Sequence, residues 1–87
     1  MGTMFREWKG AKVSYNRQGY IFFISRNYKE LSREKRAAID ALCRKIGGED
    51  YAAALKEFMT SDRSAVSVCM RYYLSKGTLY RYVRRYY

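Results

Sequence analysis

The side chains best suited to binding chemistry lie in the last part of this 87-residue chain. From Arg63 to Tyr87 the sequence contains six basic residues, interleaved with tyrosines, and no acidic residue. Exposed helices ordinarily mix charges of both signs, because opposite charges four positions apart stabilise a helix. A run of cations without carboxylates therefore predicts a surface that binds a polyanion, in preference to an ordinary solvated helix face.

The charge of the whole chain points the same way. Lysine and arginine number 18 against 8 acidic residues, which gives a formal net charge of +10. Like charges on this scale repel one another in the compact state, and a purely structural domain has little reason to contain them. The composition therefore predicts a nucleic acid, or another polyanion, as the partner.

The sequence offers no constellation for catalysis or for metal binding. It contains no histidine, and its two cysteines, Cys43 and Cys69, are too far apart in the sequence for a metal-binding pair. No glycine-rich phosphate loop and no suggestive pair of carboxylates occurs. We therefore predict a protein that is not an enzyme, with no catalytic residue, no metal and no cofactor, and with both thiols buried as small apolar side chains.

Hydropathy predicts a cytoplasmic protein without membrane association. The longest apolar run, residues 20–24, is far shorter than the ~20 residues that a membrane-spanning helix needs. The first nine residues include Arg6, Glu7 and Lys9 and lack the apolar core of a signal peptide.

The elements that must position the basic segment are predicted to be helical. Proline is absent and 48% of the residues are hydrophobic, which favours one all-α domain, residues 1–87, with four to five helices. Ser32 is expected to cap a helix that ends at Gly47 and Gly48. Its inward face is Ile39, Leu42, Cys43 and Ile46. The next helix is expected to turn inward Tyr51, Leu55, Phe58 and Met59, with a break and a new cap at residues 60–62.

The first 31 residues are harder to interpret. Thr3 is expected to cap a short helix containing Met4, Phe5 and Trp8, which Gly10 ends. Residues 20–24 fit either a strand after a hairpin turn at Gly19 or a helix capped by Asn16. The spacing of the apolar residues favours a helix with one inward face. That face would be Tyr20, Phe23, Ile24, Tyr28 and Leu31.

Residues 61–87 fit a helix-turn-helix supported by residues 1–60. With Ala65 as the first position of the unit, the small Cys69 falls where the second helix packs closely. Ser75 becomes the N-cap of the second helix, with its hydroxyl near the amide of Thr78. The inward positions are then Val68, Leu74, Leu79 and Tyr82.

This register defines which residues of the second helix face outward. The first residues of a recognition helix enter the major groove, where lysine and arginine read guanine edges and a small residue such as Gly77 permits close approach. The outward residues are Ser75, Lys76, Gly77, Tyr80, Arg81 and Arg84. Phosphate contacts are expected from Thr78, Tyr80 and Arg85. Arg63 and Arg71 complete the predicted nucleic-acid-binding set.

The stretch LSKGTLYRYV, residues 74–83, resembles the turn and recognition helix of bacterial regulators of the tetracycline-repressor type. The resemblance covers about residues 65–85 and implies DNA contact by Lys76, Gly77, Thr78, Tyr80 and Arg81. In that family the unit lies near the N-terminus, ahead of a ligand-binding and dimerising domain, so induction by a small ligand is not implied here. The glycine usual in the turn is replaced by Tyr73.

The whole chain also resembles small uncharacterised proteins from phages and integrative elements of Gram-positive gut bacteria. The expected function is therefore sequence-specific binding of double-stranded DNA by a regulator or accessory factor of a phage or mobile element. Because one helix-turn-helix usually needs a second copy for specificity, a homodimer is expected. Two alternatives stay open. One is a phage-encoded inhibitor of the anti-CRISPR type that binds a host nuclease complex, and the other is an RNA or single-strand binder that stacks bases on its tyrosines.

Overall fold

The computed structural model describes residues 7–87. These form four α-helices and one short 3-10 helix, with no strand in this part of the chain. The α-helices are α1 (Tyr15–Arg26), α2 (Arg33–Thr60), α3 (Ala65–Tyr72) and α4 (Lys76–Tyr86), and the 3-10 helix is Tyr28–Glu30. The all-α single domain is confirmed, and residues 20–24 are helical. The three extents of the molecule, 29 × 28 × 28 Å, are nearly equal.

Each α-helix begins at a serine. The hydroxyl oxygen of each serine accepts a hydrogen bond from the backbone N–H three residues later, at 3.1 to 3.3 Å. The four caps are Ser14, Ser32, Ser64 and Ser75. The predicted caps at Ser32 and Ser75 are confirmed. The predicted caps at Asn16 and in residues 60–62 are wrong, because Ser14 and Ser64 accept the capping hydrogen bonds of α1 and α3.

A break at Gly48 divides α2 without ending it. Gly48 has φ 67° and ψ −167°, a conformation that is accessible at low cost only to glycine. Gly47 remains helical, and a Cβ atom there would lie 2.9 Å from the backbone nitrogen of Ala52. The two glycines therefore set the angle between the halves of α2, and the prediction that they end the helix is only partly right.

The core lies where α2 packs against α3 and α4. Its buried hydrophobic residues are Cys43, Ala54, Leu55, Met59, Val68, Leu79, Val83 and Tyr86. Ile39, Leu42 and Ile46 are partly buried against this cluster. The predicted inward faces of α2, α3 and α4 are thereby confirmed. Cys43 is buried and Cys69 is half-buried, and both are free thiols.

The predicted inward face of α1 is wrong. Tyr20 is 55% exposed and Phe23 is 67% exposed, whereas Gln18 and Ser25 are each only 1% exposed. Buried polar groups are tolerated where they form hydrogen bonds, and both of these do. Hydrogen bonding to distant partners, which apolar spacing cannot reveal, therefore decides the orientation of α1.

Residues 7–13, here called the arm, run across α4. The side chain of Gln18 holds the arm: its Oε1 accepts from the N–H of Trp8 at 2.7 Å, and its Nε2 donates to the carbonyls of Trp8 and Val13 at 3.2 and 3.1 Å. The predicted N-terminal helix is not formed over residues 7–10, and its first residues, Thr3, Met4 and Phe5, lie outside the described range. Within residues 7–87, no helix combines the length and apolar character that a membrane span requires.

Candidate nucleic-acid interface

A three-residue turn, residues 73–75, joins α3 to α4. Tyr73 adopts the left-handed conformation, φ 57° and ψ 48°, and the N–H of Leu74 then donates to the carbonyl of Cys69 at 3.1 Å. The hydroxyl oxygen of Ser75 accepts a hydrogen bond from the N–H of Thr78 at 3.1 Å. The same hydroxyl donates to the hydroxyl oxygen of Thr78 at 2.9 Å. The turn is therefore closed on both sides by local hydrogen bonds, and α3 and α4 both pack on α2.

The exposed side of α4 bears the basic residues. Gly77, Arg81 and Arg85, spaced four positions apart, form one exposed stripe along the helix. Ser75 and Lys76 are exposed at its start, and the opposite side is buried through Leu79, Val83 and Tyr86. The structure thus places five of the predicted contact residues in solvent. They are Ser75, Lys76, Gly77, Arg81 and Arg85.

The predicted outward positions of Tyr80 and Arg84 need correction, because the arm covers this flank of α4. The ring of Tyr80 lies 5.0 Å from the ring of Trp8, at an interplanar angle of 65°. Arg84 runs beside Gly10, where a Cβ atom would lie 3.1 Å from Arg84 Cδ. Both side chains are half-buried, as is Thr78. Tyr80 therefore packs against the arm and does not project freely from the helix.

The arm also completes a cavity of about 430 Å³ against α4, here called the basic cavity. Its lining residues are Gly10, Lys12, Arg81, Arg84, Arg85 and Tyr87. Four of the six are cationic and none is acidic. None of the four forms an ion pair with any residue between 7 and 87. Like charges held together without counter-charges raise the local positive potential, which attracts anions.

Arg63 and Arg71 have a different environment. Both approach the carboxylate of Glu57 on α2, Arg63 through Nε at 3.1 Å and Arg71 through a terminal nitrogen at 3.7 Å. The hydroxyl of Tyr72 donates to the same carboxylate at 3.0 Å; desolvation, together with this bond, raises the pKa of Tyr72. The sequence from Arg63 onward contains no acidic residue, but in the folded chain Glu57 of α2 lies beside Arg63 and Arg71. Among the predicted contact residues, the cations without an acidic partner in residues 7–87 are those of α4.

Lys12 was not predicted as a site residue. A single lysine in a loop is ordinary in sequence, and only the hydrogen bonds between Gln18 and the arm bring this one to α4. Residues 7–87 contain no group of histidine, cysteine, aspartate and glutamate side chains that could hold a metal ion. Comparison with protein-family models, with curated proteins and with solved structures finds no match to this chain.

Proposed function

We propose that the chain binds double-stranded DNA through the exposed stripe of α4 and the basic cavity beside it. The observation on which this depends is the convergence of Lys12, Arg81, Arg84 and Arg85 on one cavity that has no acidic lining residue. Binding of such a surface to the phosphate backbone releases condensed counterions, which supplies most of the affinity of basic proteins for DNA.

The shape of the unit suits the major groove. An α-helix fits the groove, which is about 12 Å wide, and α4 presents its N-terminal turn outside the core. A Cβ atom added to Gly77 would have only Ser75 Oγ nearby, at 4.0 Å, so the backbone here is open to close approach. In a helix-turn-helix the second helix enters the groove and the first crosses the backbone. In this arrangement Lys76 and Arg81 read base edges, while Lys12, Arg84 and Arg85 hold phosphates.

The resemblance of residues 74–83 to tetracycline-repressor-type recognition helices supports the same assignment. A single unit of this kind reads one half-site, so we propose that two copies bind a two-fold symmetric site. The biological role that follows is a cytoplasmic regulator or accessory factor of a phage or mobile element.

Base stacking on unpaired strands is less well supported. The tyrosine on α4 best placed for stacking, Tyr80, already packs against Trp8, and Tyr87 is half-buried against Tyr86. Recognition of single strands usually depends on exposed aromatic rings. At Tyr80 and Tyr87 the geometry therefore favours double-stranded DNA. The exposed ring of Tyr73, in the turn before α4, is the feature that would instead favour single strands.

The test is fluorescence anisotropy with labelled duplex DNA over a salt series. If Lys12, Arg84 and Arg85 meet phosphates, log affinity should fall against log salt with a slope of about −2.7. The double variant R81Q/R85Q should reduce the slope by about one, because Arg85 is the member of the pair that holds a phosphate, and it should also relax the preference for one DNA sequence, because Arg81 reads a base edge. The variant R33Q/R44Q, which removes the same charge from exposed positions of α2, should leave the slope nearly unchanged.

Four results would reject the proposal. Absence of binding to duplex DNA at ~50 mM salt, where basic proteins bind DNA of almost any sequence, would contradict the proposal directly. If R81Q/R85Q and R33Q/R44Q reduced the salt dependence of DNA affinity equally, binding would depend on net charge alone and not on the surface of α4. Tighter binding to single strands, or co-purification with a nuclease complex without any preference among DNA sequences, would point to the two alternative functions.

A further inference from the structure

A second cavity, of about 600 Å³, lies on the other side of the arm and is here called the aromatic cavity. The arm, α1, α2, α3 and α4 all contribute to its wall. Its aromatic lining residues are Trp8, Phe22, Phe58, Tyr80 and Tyr87. Its volume lies within the range of about 300 to 1,000 Å³ that is typical of small-molecule sites, and its other lining residues include six charged side chains.

Arg26 is the polar group that distinguishes this cavity. Its guanidinium lies 4.6 Å from the centre of the Phe22 ring, and it forms no ion pair with the described residues. Its Nε atom is buried and has no hydrogen-bond partner in residues 7–87. Buried donors are nearly always satisfied in folded proteins, so an unsatisfied one needs an explanation. Desolvation lowers the pKa of Arg26, although nearby Asp62 and Tyr87 oppose the shift.

The remaining charges of the wall favour an anion. Besides Arg26, the basic lining residues are Lys9, Arg63 and Arg84, and the acidic ones are Glu7 and Asp62. Arg63 is paired with Glu57, outside the wall. Asp62 is exposed and leaves Arg26 unpaired. With Arg63 paired outside the wall, Lys9, Arg26 and Arg84 exceed Glu7 and Asp62 by one positive charge. A ligand with one negative charge would balance this excess.

We propose that the aromatic cavity binds a small aromatic anion, of the arylcarboxylate class. The ring of the ligand lies against the aromatic wall, and its carboxylate accepts a charge-assisted hydrogen bond from Arg26. This site lies apart from the exposed stripe Gly77, Arg81 and Arg85, but it shares Arg84 and Tyr87 with the basic cavity. Binding of the anion is therefore tested without DNA, so that its outcome does not depend on whether the chain binds DNA.

The chain contains a natural reporter for the test. Trp8 is its only tryptophan, so its indole N–H gives a single signal in a ¹⁵N-correlated NMR spectrum. The probes are sodium 1-naphthoate and the neutral alcohol 1-naphthalenemethanol, which has the same ring system. Naphthoate should shift the indole signal saturably and bind at least about tenfold more tightly than the alcohol, since a charge-assisted hydrogen bond is generally worth that ratio.

Two variants separate the site from general stickiness. R26Q should bind both probes alike, whereas R33Q, which removes an exposed arginine of α2, should keep the preference for naphthoate. A65M, which adds volume to the wall of the cavity, should weaken both probes. If R26Q does not fold, R26K keeps the charge but replaces the planar set of guanidinium donors by a single ammonium group, and it should lose part of the preference. Absence of a saturable shift at millimolar probe, equal affinity for both probes in the unmodified chain, or unchanged binding by R26Q or R26K would overturn the proposal.

Discussion

The hydroxyl oxygens of Ser25 and Tyr86 lie 2.7 Å apart in the core, although 61 positions separate the two residues. Ser25 is 1% exposed and Tyr86 is 5% exposed. Their hydrogen bond joins α1 to the last turn of α4. The helix that bears the unpaired cations is therefore fixed at its C-terminal end by a buried polar contact as well as by apolar packing.

Loss of this bond should destabilise the fold. Y86F removes one hydroxyl and leaves that of Ser25 buried without its partner, which should lower the free energy of unfolding by about 1 kcal/mol. S25A should have a similar effect. In urea denaturation the double variant should cost less than the sum of the two single changes, because both remove the same interaction. Y20F, which alters an exposed ring, should change stability by less than ~0.5 kcal/mol. Strict additivity in the double variant would show that the two hydroxyls do not interact.

The free energy of unfolding should fall between pH 10 and pH 12. Burial raises the pKa of Tyr86 and that of Tyr87 to about 12, whereas tyrosine in an unfolded chain titrates near 10. Above pH 10 the unfolded chain releases protons that the folded chain retains, so linkage favours unfolding. Burial also raises the pKa of Cys43 to about 11, and this contributes with the same sign from a lower pH. Urea denaturation in steps of pH should show the decline, and Y86F should make it shallower. A profile that stays level to pH 12 would contradict the burial of these groups.

Glycine at position 73 should give a more stable protein than alanine at the same position. Tyr73 is the only non-glycine residue with positive φ in residues 7–87, and its side chain is 91% exposed. The left-handed conformation costs a residue with a Cβ atom about 1 kcal/mol relative to glycine. Y73G should therefore be more stable than Y73A by about that amount in thermal or urea denaturation. Y73A is the matched control, because it removes the ring but keeps the Cβ atom. If the two variants were equally stable, the turn would not have this conformation.

Substitution of Gly77 by alanine should change the free energy of unfolding and the affinity for DNA in opposite directions. Glycine within a helix is less favourable than alanine by about 1 kcal/mol, and a Cβ atom here meets no close neighbour. G77A should therefore raise the free energy of unfolding. It should also weaken DNA binding, since the added methyl group would lie between α4 and the groove. G48A is the control, because it changes stability at a position outside α4. It forces alanine into a conformation suited to glycine and should lower the free energy of unfolding. If G77A bound DNA more tightly in proportion to its stability, close approach at this position would be refuted.

Local features of the chain were sufficient to predict much of the helical architecture. Serine followed by a helical apolar stripe identified α2 and α4, because capping and periodicity are properties of neighbouring residues. Leu55, Val68 and Leu79 were recognised as core residues for the same reason. The exposed stripe of Gly77, Arg81 and Arg85 follows once Leu79 and Val83 are turned inward.

Contacts between distant residues determined the rest. The inward face of α1 contains Ser25, which is bonded to Tyr86, and the half-buried Ile21, whereas Phe23 is exposed, contrary to the face that hydrophobicity predicted. Gln18 brings Lys12 to the arginines of α4, whereas Glu57 lies beside Arg63 and Arg71 and offsets part of their charge. The spacing of residues along the sequence predicts which way a side chain points from its own helix. Whether an opposite charge, a like charge or a hydroxyl meets it there depends on how the helices pack.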